Sequence, residues 1–151
     1  MGDMAADLDL VRRLVVAEHG LAVVATTRPD GSVHGSVVNA GVLDHPLSGD
    51  AVVGLIARGD AVKVRLLRRA GRASVTFRVG WEWVAVEGPV QLIGPDDPAD
   101  GFRPQQLPQL LRGVFSAAGG THDDWDEYDR VMAAERRVAV LVQPARISSN
   151  G

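Results

Sequence analysis

The first twenty residues carry the hydrophobic pattern of an amphipathic helix. Between residues 7 and 18, apolar side chains recur at helical spacing, at Leu10, Val11, Leu14, Val15 and Ala17. Gly20 follows where a C-terminal cap is expected. We therefore predict a helix over 7–18, and the charged residues along it argue against a signal peptide or a membrane segment.

Runs of small and β-branched residues separated by turn residues make up most of the remaining chain. They predict strands over 21–27, 32–42, 51–57, 72–79, 81–93 and 137–143, with a tight turn at residues 28–31 and a bend near Gly88-Pro89. Helices are predicted over 60–69, with Asp60 as N-cap and Gly71 as C-cap, from Pro104 or Pro108 to 117, and over 124–135 behind a Thr121-x-x-Asp124 capping box.

Strands in meander order with few, short helices indicate a mainly β (α+β) protein built on a small antiparallel barrel. The chain has 151 residues and shows no internal repeat or low-complexity linker. We therefore predict a single domain over 1–151.

Composition narrows the class of protein. Apolar residues make up 46% and charged residues 23% of a chain without cysteine, which is typical of a globular protein and excludes disulfides, thiolate catalysis and cysteine-ligated metal. A reducing cytoplasm is the expected location.

Charge is segregated along a chain whose net charge is −3. Residues 58–72 are basic and contain Arg58, Lys63, Arg65, Arg68, Arg69 and Arg72, whereas residues 95–130 are acidic. A local basic cluster in an acidic protein favours one particular anionic ligand over nucleic acid.

The start of the predicted helix over 60–69 is the first candidate site. Lys63 lies near free N–H groups and the positive end of the helix dipole, an arrangement that suits a phosphate. Arg65 adds a second donor, whereas the later arginines are expected on a solvated helix face.

Two strand segments are also candidates for ligand binding. Gly35, Ser36 and Asn39 are poor packing residues for a strand, and a planar ligand with carbonyl and N–H edges would explain them. Trp81 and Trp83 alternate along a strand, where they serve either core packing or a surface for a ligand or partner subunit.

The acidic run from residue 121 to 129 lacks the spacing of a calcium loop, and helix capping accounts for its acids, so no metal site is predicted. There is no Ser-His-Asp pattern, P-loop or dinucleotide fingerprint. No catalytic side chain is predicted, and any reactivity is expected to come from a cofactor.

Five segments in order, ATTRPDGSVHGSVVN, KVRLLRRAGRAS, GWEWVAVEG, HDDWDEYDR and ERRVAVLV, resemble the pyridoxamine 5′-phosphate oxidase-like split-barrel flavoproteins. The resemblance runs from about Leu8 to Ile147 and is strongest to the actinobacterial branch that uses the deazaflavin coenzyme F420. It implies a six-stranded antiparallel split β-barrel with flanking helices. It also implies a homodimer with cofactor sites at the subunit interface.

The resemblance also implies cofactor-binding residues. Ser36, Val38 and Asn39 fall where the family lines the cofactor ring, Lys63, Val64 and Arg65 where it grips the phosphate, and Trp81, Trp83 and Arg137 where it reaches the site across the dimer. The family's R-x-K followed by R-N-L is here Ala61-Val62-Lys63 and Arg65-Leu66-Leu67, and Arg58 is the candidate for the missing arginine.

The implied activity is an oxidoreductase in which reduced F420 passes a hydride to a conjugated small molecule. Two alternatives stay open at this point: an FMN-binding split-barrel oxidase or reductase, and a cofactor-binding dimer without catalysis.

Overall fold

The computed structural model describes residues 4–150, the side chains of residues 5 and 6 excepted. Its strands are β1 (Leu21–Thr27), β2 (Val33–Asp44), β3 (Ala51–Ala57), β4 (Arg72–Val79), β5 (Glu82–Ile93), β6 (Val138–Val142) and β7 (Arg146–Ser149). Its helices are α1 (Met4–Glu18), α2 (Val62–Ala70), α3 (Leu107–Ala117) and α4 (Trp125–Ala134), with a 3-10 turn at Pro104–Gln106. None of these helices is long and apolar enough to cross a bilayer. Residues 1–3 and 151 lie outside the described residues, and the single domain over 1–151 stays a prediction.

Six strands close into an antiparallel barrel in the order β1-β2-β3-β6-β5-β4, with β4 returning to β1. The four helices flank this barrel. The prediction of a mainly β, six-stranded antiparallel split β-barrel is therefore confirmed. The seventh strand, β7, was not predicted, because it is only four residues long and follows a proline.

The barrel is split beside its two 12-residue strands, β2 and β5. Strand β2 pairs with β1 through residues 33–39 and with β3 only through 40–44. Strand β5 pairs with β4 through 82–89 and with β6 only through 90–93. Beside the first half of β5 the gap is covered by β7. Beside the first half of β2, no strand among the described residues fills the gap.

Two apolar clusters hold these layers together. Inward-facing residues of the strands fill the barrel, and a second cluster lies between α3, α4 and the outer side of β3 and β6. Strand β6 is buried on both faces, since Val138, Val140 and Val142 point into the barrel while Ala139 and Leu141 lie under the helices. Each buried Val or Leu stabilises the fold by about 1.5–3 kcal/mol, so the helices that frame the gap beside β2 are firmly docked.

Most predicted element boundaries agree with the structure. Strands β1, β3 and β4 have the predicted bounds, and Gly71 ends α2 in the left-handed conformation, with its N–H donated to the carbonyl of Leu67 at 2.8 Å. At the end of α1, both His19 (φ 54°) and Gly20 (φ 71°) are left-handed, and the Gly20 N–H closes the helix on the Val15 carbonyl.

The predicted N-cap of α2 is wrong. The helix begins at Val62 behind Ala61, and none of the described side chains caps it. Asp60 lies one residue too early to accept from the first turn, and its carboxylate lies 3.5 Å from the Arg58 guanidinium instead. Within the described part of the chain, the N-terminal N–H groups of α2 are therefore left without a side-chain partner.

The predicted start of α4 also needs correction, as does the start of β5. Asp124 is itself the N-cap and accepts from the Glu127 N–H at 3.1 Å, so Thr121 is not part of a capping box. Trp81 precedes β5 in a turn behind Gly80, whose φ is 61°. Its position in the turn means that the alternation with Trp83 is not that of one continuous strand.

The last turn of α3 lies directly on β2, and Gly41 permits this approach. A Cβ at Gly41 would lie 2.1 Å from the carbonyl oxygen of Ala117. No other residue type could occupy this position without displacing α3.

Candidate functional site

A cavity of about 400 Å³ occupies the gap beside the first half of β2. It is lined by β2, β3, the start of α2, α3, α4 and the residue before β6. The lining residues are Val37, Val38, Asn39, Ile56, Ala57, Arg58, Ala61, Lys63, Val114, Phe115, Ala118, Tyr128, Met132 and Arg137. Five residues predicted from sequence therefore line one cavity: Val38, Asn39, Arg58, Lys63 and Arg137.

The backbone of β2 forms one wall. The Ala40 N–H donates to the Gly20 carbonyl at 2.8 Å, on the side of β1. Because backbone groups of successive strand residues point to opposite sides, those of Val37 point away from β1, toward the cavity, and those of Asn39 lie where the pairing with β3 begins. This edge offers N–H donors and C=O acceptors at fixed spacing. Such an edge suits a planar ligand whose rim carries both kinds of group.

Lys63 lies in the first turn of α2 at another wall. It is half-buried, and among the described residues its ammonium makes no hydrogen bond or ion pair. Burial and the nearby Arg137 guanidinium lower the pKa of the Lys63 ammonium below its usual 10.5. An unpaired ammonium beside an uncapped helix N-terminus is an arrangement that favours a bound anion.

Arg58 and Arg137 approach the same end from two different loops. Arg58 follows β3, and Arg137 precedes β6. Both guanidiniums pair with Glu135, at 3.5 Å and 3.1 Å. With Lys63 they place three cations at one end of the cavity.

Helices α3 and α4 supply an apolar and aromatic wall that was not predicted as part of the site. Phe115 packs against Tyr128 with ring centroids 5.0 Å apart, beside Val114 and Met132. The Tyr128 hydroxyl donates to the Leu111 carbonyl at 3.2 Å, and burial raises the pKa of Tyr128 to about 12. No sequence signal distinguishes this wall, because the apolar face of α3 looks the same whether it meets a core or a cavity.

Three of the predicted residues near the cavity do not line it. The Ser36 hydroxyl oxygen is buried without a hydrogen-bond partner among the described residues. The Val64 side chain is fully buried in the core, and the Arg65 side chain is exposed on α2. An unpaired buried hydroxyl costs about 1–3 kcal/mol, which is the kind of deficit that a ligand or water can relieve.

The two predicted tryptophans lie on the turn before β5 and at its start, also outside the lining. The Trp81 side chain is 93% exposed, and that of Trp83 is half-buried. The Asn150 amide fixes this turn, because it donates to the Trp81 carbonyl at 2.6 Å and accepts from the Trp83 N–H at 3.0 Å. The exposed indole of Trp81 is therefore presented on a braced backbone.

Two side-chain carboxylates of the acidic run are engaged elsewhere. Asp124 caps α4, and Asp129 forms a two-pronged ion pair with Arg112. Within residues 4–150, no three His, Asp or Glu side chains come close enough together to hold a metal ion.

The cavity fits a ligand with a flat heteroaromatic ring and an acidic group. The strand edge can pair with ring N–H and C=O groups, the apolar wall can contact the ring faces, and the cations and helix start can hold a phosphate. This donor set agrees with the chemistry of a flavin or deazaflavin.

Several solved structures share the fold. A conserved hypothetical protein from Mycobacterium tuberculosis is 21% identical with a TM-score of 0.68, over 99% of this chain and 84% of that one. A pyridoxamine 5′-phosphate oxidase-related FMN-binding protein from Nostoc punctiforme is 15% identical with a TM-score of 0.63, over 96% and 80%. An F420 reductase is 14% identical with a TM-score of 0.58, over 89% and 93%.

The family assignment comes from the sequence. Residues 11–149 match the pyridoxamine 5′-phosphate oxidase family, and this range includes every strand of the barrel and the whole cavity lining. The resemblance inferred from the five segments is thereby confirmed at the level of the superfamily. The chain belongs to the pyridoxamine 5′-phosphate oxidase family of split-barrel proteins.

Proposed function

We propose that this protein is an oxidoreductase that binds coenzyme F420 in the cavity beside β2 and reduces a conjugated small molecule. The observation that carries the proposal is the meeting of a free strand edge with three cations, Arg58, Lys63 and Arg137, in one cavity. The family match and the shared fold with an F420 reductase support it. The actinobacterial branch and a cytoplasmic location belong to the same proposal.

The residues of the cavity have separable roles in this proposal. The backbone of Val37 and Asn39 binds the rim of the ring, and Phe115 and Met132 contact its apolar surface and exclude water. Lys63 holds the phosphate together with the start of α2. Reduced F420, when bound, supplies a hydride, and solvent supplies the proton that completes the two-electron reduction.

We also propose that the protein is a homodimer. The outer face of β1 and β2 exposes four large apolar side chains, Leu21, Val23, Val33 and Val37, which are 45–64% accessible. We infer that a second copy of this chain covers the face, because Val37 belongs both to this face and to the cavity. A dimer contact there completes the cavity wall and covers the free edge of β2.

The braced turn supports a role for Trp81 in the same assembly. The exposed indole has only two side-chain torsions to fix and stands on a braced backbone, so it loses little conformational freedom on binding, which favours Trp as an interface anchor. The prediction that Trp81 and Trp83 serve the cavity of the partner subunit is part of this proposal.

Cofactor titration tests the proposal. We expect F420 to quench tryptophan fluorescence with saturable affinity, and Lys63→Ala to weaken binding roughly tenfold to hundredfold, the range for loss of one charged hydrogen bond. Arg69→Ala is the matched control, since Arg69 lies exposed on the same helix and outside the cavity and has no partner among the residues that the structure describes. That variant should bind within threefold of the wild type.

The other outcomes separate the alternatives. Binding of FMN alone would replace the proposal by an FMN-dependent oxidase or reductase. The shared fold with the FMN-binding protein from Nostoc punctiforme supports this alternative. Binding of F420 without reduction of a test enone would indicate a cofactor carrier. Binding of neither cofactor would reject the proposal.

A further inference from the structure

Glu135 stands behind the cationic end of the cavity without lining it. It is the C-cap residue of α4, and its two carboxylate oxygens contact different arginines. One oxygen lies 3.5 Å from Arg58 Nη1. The other lies 3.1 Å from Arg137 Nη2 and accepts from Arg137 Nε at 3.2 Å. A single carboxylate therefore engages both guanidiniums of the cavity.

Backbone contacts hold the chain on both sides of this glutamate. The Arg137 N–H donates to the Met132 carbonyl at 2.9 Å, which closes the end of α4 while Arg136 adopts a left-handed φ of 50°. The Gly59 N–H donates to the Glu135 carbonyl at 3.4 Å. A Cβ at Gly59 would lie 2.5 Å from the Arg136 carbonyl oxygen, so the loop after β3 and the end of α4 are in direct contact.

The three cations of the cavity differ in their ion-pair partners. Arg58 pairs with Glu135 and, on its exposed side, with Asp60 at 3.5 Å. Arg137 pairs with Glu135. Among the described residues Lys63 has no such partner. An anion that enters the cavity therefore meets one free cation and two that are already bound to a carboxylate.

We propose that Glu135 is a positioning residue that acts as a built-in counter-anion of the cavity. It holds Arg58 and Arg137 at the cavity wall and competes with the phosphate or carboxylate of the ligand for both guanidiniums. This inference rests on the proposed function only in that the ligand carries an anionic group. The affinity of the cavity for an anion then depends on two opposing effects of Glu135. It orients the two arginines in advance, which strengthens binding, and it competes with the anion for them, which weakens binding.

Two substitutions at Glu135 separate these effects. Glu135→Gln keeps the side-chain length and one acceptor oxygen but removes the competing charge. We expect it to bind inorganic phosphate roughly three- to tenfold more tightly, the factor for removing one unit charge a few ångströms from an exposed anion. Glu135→Asp keeps the charge but is one methylene too short to reach both arginines, so it should bind phosphate more weakly than the wild type.

Isothermal titration with inorganic phosphate at low ionic strength is the primary measurement, with F420 titration as the second. Asp60→Asn is the matched control, because it removes a nearby, mostly exposed carboxylate whose one charged partner in the described part of the chain is Arg58. It should change phosphate affinity by less than twofold. Urea unfolding of each variant checks that the fold is intact.

Opposite effects of Glu135→Gln and Glu135→Asp on phosphate affinity would support the inference, even if neither F420 nor FMN bound. Equal phosphate affinity of both variants and the wild type would overturn the inference about Glu135. The proposed function would still stand if F420 binding persisted. Equal weakening in both variants would also overturn the inference, because Glu135 would then act only through structure. Failure of wild type and both variants to bind phosphate would overturn the anion site itself.

Discussion

Replacement of Gly41 by alanine should destabilise the fold and distort the cavity at the same time. The new methyl group would lie 2.1 Å from the Ala117 carbonyl oxygen and 2.7 Å from the Ala118 nitrogen, where ordinary contact begins at 3.4 Å. Both neighbours are backbone atoms, so no side chain can rotate away. The last turn of α3 must retreat by about 1.3 Å, the difference between the 3.4 Å and 2.1 Å contacts.

The magnitude follows from two opposing effects. Overpacking against backbone costs about 1–3 kcal/mol. The loss of glycine's freedom in the unfolded chain returns about 0.4–1 kcal/mol. The net loss in the free energy of unfolding is therefore about 1–2 kcal/mol, which lowers the Tm of a chain of this size by about 2–8 °C.

Thermal and urea unfolding followed by circular dichroism measure this effect, with Gly113→Ala as the matched control. Gly113 lies exposed within α3 with open space around its Cβ position. Alanine there should stabilise the protein by about 0.5–1 kcal/mol. The Gly41 variant should also bind F420 more weakly, because Val114, Phe115 and Ala118 move with the helix end.

A Gly41 variant that unfolded at or above the temperature of the wild type would contradict this prediction. A shift of stability in the same direction for both glycine variants would contradict it as well. Either result would mean that α3 does not press on β2 as the backbone distances require.

Three further predictions concern titration and assembly. Tyr128 is the chain's one tyrosine, so absorbance at 295 nm follows it alone. Its pKa is raised from 10.0 to about 12 in the folded protein, so the unfolded chain loses the proton first. The free energy of unfolding should therefore fall as pH rises between these values. A titration midpoint of folded Tyr128 near 10 would contradict this. The pKa of Lys63 is lowered below 10.5, so stability should rise as pH rises toward that value, while phosphate affinity falls over the same range. Lys63→Gln should flatten both profiles, and unchanged slopes would assign them to other groups. Val37→Lys should convert the proposed dimer to a monomer in sedimentation, whereas Val16→Lys, at an exposed position of α1, should not. A monomeric wild type would contradict the dimer.

Local sequence patterns predict most of this fold because the strands are long runs bounded by strong turn residues. Strands β1, β3 and β4 are of this kind. Strand β7 escapes prediction because four residues of mixed polarity carry no clear alternation. Its existence depends on the free edge that β5 offers, which is a tertiary property.

The cationic end of the cavity was predicted more fully than its other walls. Lys63 is marked by its charge at a helix start, and Arg137 was identified through the family resemblance. Phe115 carries no such signal, since the apolar face of a helix looks the same in front of a core or a cavity. The pairing of Glu135 with two arginines depends on contact between two loops that lie far apart in the sequence.

The two split strands show how a gap of this kind is filled. Beside β5 the chain fills the gap with its own strand, so backbone meets backbone. In the proposed complex, a ligand along β2 would take the corresponding position and be held as though it were one more strand of the sheet. Peptide N–H and C=O groups do not change when side chains are replaced, apart from proline. The proposed recognition along β2 would therefore tolerate sequence divergence, whereas recognition at the cationic end would depend on a few individual side chains.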